Sequence, residues 1–386
     1  MSEERLVPKL RFSGFDDEWN EVKLGDISTF LDNKRIPLKE DDRKQIKGEY
    51  PYYGASGIID YVNDYIFDEE LILMGEDGAN IVTRSSKLIF LAKGKYWVNN
   101  HAHVIKADNN INQYFLSESL ERINYEKYNT GTAQPKLNRE VCQKIKVKIP
   151  QFNEQNKIAN FLLVIDEKLR LLEQKYQYYQ NFKKYLMQQI FTQKLRFDFK
   201  DTWDKVLLKD VAFIPKKTKL TNVEGLKLLT VKLHTKGIEI NDRIKPKLTK
   251  RGRPYYIRRS GELLIGRQNF HNGGMGIVPK SLDGGICSNA ISSFNVFEDK
   301  IDVNYLYYFL ARPEYYIKSE RLIGGTGQKE FSEKELLKLK IDLPSLEEQN
   351  KIVDFLLNID HKIELSENQL NKTQEFKKGL LQQMFV

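Results

Sequence analysis

Apolar residues recur in alternating steps of four and three along residues 154–191, at Ile158, Leu162, Ile165, Leu169, Leu172, Tyr176, Tyr179, Leu186 and Ile190, with Lys183 the one interruption. Such spacing keeps a narrow face of an α-helix apolar, so the stretch reads as a heptad-patterned helix. About 37 residues rising about 1.5 Å each would form a rod of roughly 55 Å. The pattern occurs twice. EQNKIANFLLVID from Glu154 returns as EQNKIVDFLLNID from Glu348 at a constant offset of 194 residues, and 25 of the 58 positions from 134 to 191 match their later counterparts. In the second copy the seam is Ile352, Leu356, Ile359, Ile363, Leu370, Leu380 and Met384, with Ser366, Thr373 and Lys377 as polar interruptions. Pro150 and Pro344 mark where the helices begin, and Ser345 with Glu348 has the S-x-x-E spacing of a capping box. An amphipathic stripe usually packs on its own domain. Here its length and duplication favour two helices paired with each other as an intramolecular coiled coil.

The duplication is wider than the helix. LRF from Leu10 is followed by Trp19, Val22, Leu24, Asp26 and Ile27, and LRF from Leu195 by Trp203, Val206, Leu208, Asp210 and Val211. The chain therefore divides into a domain at 1–150, a helix at 151–193, a second domain at 194–344 and a second helix at 345–386. Both domains are strand-rich, with YPYYGASGIIDYV, ELILMG, KLIFLA and YWVNNHAHVI in the first and KLLTVKL, ELLIGR, MGIVP and ICSNAISSF in the second. Glu70 to Gly75 resembles Glu262 to Gly266, and Asn100 resembles Asn289, while the loops between share almost nothing. The expected fold class is α+β: two strand-rich mixed domains joined by two long helices in a pseudo-two-fold tandem duplication.

Composition narrows the partners. With 40% hydrophobic and 11% aromatic residues the chain can build ordered cores, and its formal charge of +9 suggests a polyanionic partner. Residues 1–193 hold 28 basic and 28 acidic side chains, so the excess of 34 over 25 lies in residues 194–386. No run of eighteen apolar residues and no apolar signal-peptide core are present, which points to the cytoplasm and away from a membrane. Cys142 and Cys287 suggest two buried thiols rather than a disulfide framework.

The candidate chemistry lies in the loops. Residues 243–261 carry eight basic side chains and no acid: Arg243, Lys245, Lys247, Lys250, Arg251, Arg253, Arg258 and Arg259, with Tyr255 and Tyr256 among them. Basic residues interleaved with Gly, Pro and tyrosine suit a loop that tracks phosphates, although charge runs are usually only solvated surface. In GRQNFHNGG, the side chains of Arg267, Gln268, Asn269 and His271 follow a strand in a glycine-rich loop, where bidentate bonds to base edges are feasible. The comparable set in the first domain is Arg84, Lys93, Lys95, Tyr96, Asn99, Asn100, His101 and His103. Asn and His in turns often just bond the local backbone. His101 and His103 share a strand face, either structural or DNA-facing. GGTGQ at 324–328 and GTAQ at 131–134 read as turns before the helices, with backbone contact to phosphate an added role.

Catalytic signatures are absent from the sequence. There is no Pro-Pro pair for a nitrogen-directed methyltransferase motif, no GxxxxGK[ST] loop, no Pro followed by Asp for a nuclease carboxylate cluster, and no Cys/His set for zinc. No cofactor or metal is expected.

A duplicated domain-plus-helix chain, with GTAQPKLN, then IP, then EQNKI…FL…ID, resembles the specificity subunit of type I restriction-modification enzymes. The resemblance covers essentially the whole chain. It implies a non-catalytic subunit in which each domain is a target recognition domain reading half of a bipartite double-stranded DNA site. The helices, antiparallel by that resemblance, set the spacing between the halves. It also implies methyltransferase subunits, two by symmetry, docked on this scaffold, and a motor-nuclease restriction subunit completing the complex. Phe161 and Phe355 recur just off the seam, as do Phe182 and Phe376; they either receive the methyltransferase subunits or close the joint between rod and domains. The rival readings are a self-sufficient DNA methyltransferase or nuclease with an unfamiliar site, and a coiled-coil adaptor.

Overall fold

The computed structural model describes residues 5–249, 252–319 and 330–386. Lys250, Arg251 and the GGTGQ segment lie outside these residues. The chain forms two compact units: Met1–Leu172 together with Gln369–Val386, and Glu173–Asn368. Each unit thus holds one strand-rich domain, the start of the helix that follows it and the end of the other helix.

In the first unit the strand Asn20–Lys23 pairs antiparallel with Lys146–Ile149. A four-stranded sheet runs in the order Ser28–Phe30, Ala102–Ala107, Leu71–Gly75, Ile89–Ala92. The second unit repeats both features, with Asp204–Leu207 on Lys340–Leu343 and a sheet ordered Ala212–Phe213, Ile291–Val296, Leu263–Gly266, Met275–Ile277. The central strands LILMG and LLIG are buried along their whole length, which is why they read as unbroken apolar runs rather than alternating ones. Beyond this shared sheet the copies diverge. The first unit adds a second four-stranded sheet, Gly57–Val62, Lys47–Gly54, Lys95–Val98, Phe67–Asp68. The second has two separate ribbons there, Leu229–Val231 with Ile238–Ile240 and Tyr255–Ile257 with Ile286–Ser288.

The long helices are Phe152–Phe191 and Leu346–Met384. In the first unit one core joins Ile158, Leu162 and Ile165 of the first helix to Leu380 and Met384 of the second. In the second unit Met187, Ile190 and Phe191 share a core with Ile352 and Leu356. The helix segments run antiparallel within a unit. In the second, Tyr176 meets Glu367 and, farther along the first helix, Lys183 meets Asp360, earlier in the second.

Three of the four polar breaks in the seam, Lys183, Lys377 and Ser366, turn inward rather than spoiling it, while Thr373 stays half-exposed and donates to the Gln369 carbonyl. Lys183 Nζ lies 2.5 Å from Asp360 Oδ1, and Tyr308 donates to the other oxygen at 2.6 Å. Lys377 Nζ lies 2.6 Å from Asp166 Oδ1, whose other oxygen accepts from Tyr114 at 2.5 Å. Each lysine comes from the end of one repeat and each aspartate from the start of the other. Ser366 is 1% exposed and its hydroxyl donates to the Lys362 carbonyl, so it too sits inside the seam.

The capping box expected at Ser345 forms only in half. Ser345 Oγ accepts from the Glu348 amide at 3.3 Å, but the Glu348 carboxylate is taken elsewhere, by Arg196 at 3.0 and 2.7 Å and by Trp203 Nε1 at 3.0 Å. Arg11 grips Glu154 in the same way, at 2.7 and 2.8 Å. The bidentate fork fixes direction as well as distance. The repeated LRF and EQN motifs are therefore two halves of one joint. Gln155 and Gln349 complete it by donating to the carbonyls of Pro150 and Pro344, each at 2.9 Å.

Candidate nucleic-acid interface

The turn between Lys95–Val98 and Ala102–Ala107 presents Asn100 and His101 outward. Its shape is imposed from beneath. The Asn99 side chain is buried and accepts from the His101 amide at 2.8 Å, and the His101 ring lies 2.6 Å from Asp77. Arg35 donates to the Ala102 carbonyl at 2.9 Å, to the Asn100 carbonyl at 3.4 Å and to Glu76 at 2.7 Å. His103, 1% exposed, lies between Asp32 Oδ2 at 2.7 Å and the Leu137 carbonyl at 2.8 Å, so both ring nitrogens face acceptors. Burial, the largest single influence, disfavours the charged ring, yet Asp32 and Cys142 together outweigh it and lift the His103 pKa to about 10. Through Leu137, and through Lys136 on Glu76 at 3.4 Å, the PKLN segment is tied to the same turn.

The second unit builds its matching turn, Asn289 and Ala290, with a different arginine. Arg267 Nη1 donates to the Asn289 carbonyl at 3.1 Å, Nε to the Phe331 carbonyl at 3.1 Å, and Nη2 lies 2.6 Å from Glu330. The Arg267 amide donates to the Ala290 carbonyl as the Glu76 amide does to the His101 carbonyl. The two copies thus present an asparagine turn clamped by an arginine, which sequence comparison registered only as Asn100 matching Asn289.

Several expected interface residues prove to be supports. Tyr96 and His103 are buried in the first unit and Arg258, 1% exposed, in the second, where it donates to the Ile291 carbonyl at 2.9 Å. Its guanidinium raises no flag in sequence, because a buried arginine is written with the same letter as an exposed one. Arg84 is bound to Glu121 at 2.7 Å and covers the Tyr125 ring. Arg267 spends its donors on the fold, and Gln268 reaches Glu330 at 3.4 Å. The His271 ring lies 3.1 Å from the side-chain Nδ2 of Asn272. Tyr255 and Tyr256 are half-buried on a paired strand. What remains outward is Lys93, Lys95, Asn100 and His101 in the first unit, and Asn269, Arg253 and Arg259 in the second. Arg259 lies 3.5 Å from Asp283. Arg243, Lys245 and Lys247 are exposed with Arg253, and among the described residues no carboxylate lies within ion-pair distance of these four.

On the helices the four phenylalanines separate. Phe161 packs edge-on against Phe12 at 5.6 Å, and Phe355 against Phe197 at 5.7 Å, so these two close the joint with the LRF motif. Phe182 stacks on the exposed Tyr178 at 5.8 Å, and Phe376 is 57% exposed.

Comparison with known proteins fits this architecture. The chain is 24% identical over 396 residues to the specificity subunit of the Methanocaldococcus jannaschii type I restriction enzyme MjaVIII, covering 95% of this chain and 91% of that one. It is 33% identical over 162 residues to S.HindORF215P, the candidate type I specificity subunit of Haemophilus influenzae, a match spanning 42% of this chain and 40% of that one. The crystal structure of the type I S subunit from M. genitalium superposes with a TM-score of 0.68 at 15% identity, covering 98% of this chain and 99% of that one. The model of the type I restriction modification DNA specificity domain matches twice, at residues 16–178 and 200–375. By that double match, which takes in both domains and most of both helices, the chain belongs to the type I restriction-modification DNA specificity family.

Proposed function

We propose that the chain is the non-catalytic DNA-reading subunit of a type I restriction-modification complex, each strand-rich domain reading one half of a bipartite duplex target. The observation that carries this reading is the pair of arginine-clamped asparagine turns, built on the same sheet in both units and held by a buried framework. A rigid turn loses little entropy when it docks, so its side chains can discriminate rather than merely adhere. The exposed cations Arg243, Lys245, Lys247 and Arg253 supply the phosphate contacts of the second domain.

The methyltransferase subunits, two by symmetry, dock on outward helix faces that carry Phe182 and Phe376, and a restriction subunit completes the assembly. Phe161 and Phe355 leave this surface because they are seated in the joints.

Duplex binding measured across salt concentrations tests the reading. Reversing Arg243, Lys245, Lys247 and Arg253 should weaken binding to all sequences and flatten the salt slope by roughly 0.9 per lost phosphate contact. Alanine at Asn100 and His101, or at Asn289, should instead narrow the gap between cognate and random duplex, by about 1–3 kcal/mol for each bidentate pair lost. Unchanged slope and unchanged discrimination would remove both loops from the interface. The rival reading, a self-sufficient methyltransferase or nuclease, requires methyl transfer or cleavage by the purified chain alone.

A further inference from the structure

The second sheet of the first unit keeps its connectivity in the second unit, though not its extent. Lys47–Gly54 forms a hairpin with Gly57–Val62 and runs parallel to Lys95–Val98. Likewise Leu228, just before the hairpin of Leu229–Val231 with Ile238–Ile240, bridges parallel to Ile286. Each hairpin tip rests where the central strand ends. In the first unit the Asn99 amide donates to the Tyr53 carbonyl at 3.0 Å, and a Cβ on Gly75 would meet the Ala55 carbonyl oxygen. In the second, the amides of His234 and Thr235 donate to the Asn272 and Gly273 carbonyls, each at 2.8 Å, in the loop that leaves that strand.

Both tips carry a locally unfavourable feature. In the first, Ile58 pairs with Tyr53 and Asp60 with Tyr52, so Ile59 is bulged out of the pairing. Ile58 and Ile59 are 46% and 50% exposed, on the edge strand of the sheet. Edge strands are ordinarily guarded by charge or proline, and successive residues of an unbroken ladder face opposite ways. Here the bulge leaves two β-branched apolar side chains outside together, as bulges do where they re-aim side chains beside functional sites. A Cβ on Gly54 would meet Ile59 Cδ1 at 3.1 Å and Asn99 Nδ2 at 3.4 Å, so Ile59 stands against the asparagine that shapes the turn of Asn100 and His101. Asp60, the acid of this strand, is tied to Arg43 at 2.9 Å. In the second unit His234 and Thr235 are consecutive residues with φ of 58° and 55°, a left-handed conformation rare for threonine. Such strain persists where the surroundings impose it, and it gathers at functional positions.

We propose, resting on the duplex-reading function above, that the first hairpin reads thymine, with Ile58 and Ile59 meeting its C5-methyl group in the major groove. A two-stranded ribbon fits a groove about 12 Å wide, and among the groups that base edges show there only the thymine methyl is apolar. The isoleucines adjoin the Asn100 turn, so one half-target combines a hydrogen-bonded position with a methyl-contacted one. The matching hairpin of the second domain carries His234 and Thr235 instead, side chains suited to a different half-target.

Selection by the full chain from a pool of randomised duplexes tests the contact, the pool being amplified once with thymidine triphosphate and once with deoxyuridine triphosphate, which lacks only the methyl group. Wild type is expected to enrich two half-targets, one holding a thymine preference that falls about fourfold in the uracil pool, the effect of burying one methyl-sized group. Ile58→Ala with Ile59→Ala should show the weaker preference from both pools and keep the other half-target. Both side chains are half-exposed, so the variant should melt as wild type does; if it does not, Ile58→Ala alone carries the same expectation. Equal enrichment of thymine and uracil by wild type would overturn the proposal. So would a variant that loses affinity for all sequences alike with its thymine-to-uracil ratio intact, the mark of a structural role. An intact ratio with weaker capture of a methyltransferase subunit would overturn it in favour of a protein contact. Enrichment of no sequence from either pool is a separate failure, since it would remove the reading of duplex DNA itself.

Discussion

At the scale of single residues, the first unit hangs its Asn100 turn on one charged pair. His103 is buried beside the largely covered Asp32, and each shifts the other: burial is the largest single influence on both and opposes charge, but His103, the Val104 amide and Arg35 together hold the Asp32 carboxyl below its ordinary value, and Asp32 with Cys142 raises His103 to about 10. A histidine raised in the folded state contributes stability fully present below its unfolded pKa of 6.5, and that stability is lost as pH climbs through about 10. The melting temperature of the wild-type protein should therefore fall between these values more steeply than that of a His103→Gln variant. The variant should itself be destabilised at neutral pH, by on the order of 3 kcal/mol, because it leaves Asp32 buried with half its partners. Equal slopes in the two melting series would mean that His103 is neutral in the fold. A second residue-scale feature is a close approach: a Cβ on Gly75 would stand 2.6 Å from the Ala55 carbonyl oxygen. Gly75→Ala must push the tip of the hairpin formed by Lys47–Gly54 and Gly57–Val62 off the central strand, at a cost of about 1–3 kcal/mol. A denaturant melt showing no loss would place the strain elsewhere.

At the scale of elements, the helices were legible in the sequence and their polar contacts were not. A heptad seam declares itself locally, since Ile158, Leu162 and Ile165 need only their own spacing to define a face. Lys377 gives no such local account, because the Asp166 that neutralises it lies 211 positions away in sequence. The same holds for the candidate interface: the match of Asn100 with Asn289 was legible because the duplication repeats it, whereas the burial of Arg258 and the internal bonds of Arg267 were not, because exposure is decided by tertiary packing. The inward lysines predict a specific behaviour. A buried ion pair adds little net stability but sets register, since a slip would strand both charges. Lys377→Asp should therefore loosen residues 369–386, read as faster hydrogen exchange there, and the swap Lys377→Asp with Asp166→Lys should restore much of the protection. Glu118, 3.3 Å from Lys377, is the carboxylate the single reversal would oppose. If the single variant exchanges like wild type, the pair does not set register.

At the scale of the whole molecule, the two repeats are built to be exchanged. Phe385 of the second helix stacks on Phe115 at 5.2 Å and meets Trp19 edge-on at 6.1 Å, while its counterpart Phe191 packs on Phe309 at 5.7 Å and on Trp203 at 6.4 Å. The lysine knots are reciprocal in the same way. A fragment of residues 1–193 therefore carries both a helix end and the seat for one. Its Lys183 lacks Asp360, but a second copy offers Asp166 and Tyr114; its Phe191 lacks Phe309 and Trp203, but a second copy offers Phe115 and Trp19. The fragment's seam fills nine of ten positions with apolar residues against seven in the second helix, so burying it between two copies is the more favourable self-association. The fragment should sediment as a dimer at micromolar concentration and prefer a palindromic duplex made from the first half-target. Lys183→Asp should shift it toward monomer, and adding Asp166→Lys should recover the dimer, which separates the paired-helix contact from non-specific association of an exposed apolar stripe. A folded fragment that remains monomeric, or one whose dimer ignores both charge changes, would break the equivalence of the two repeats.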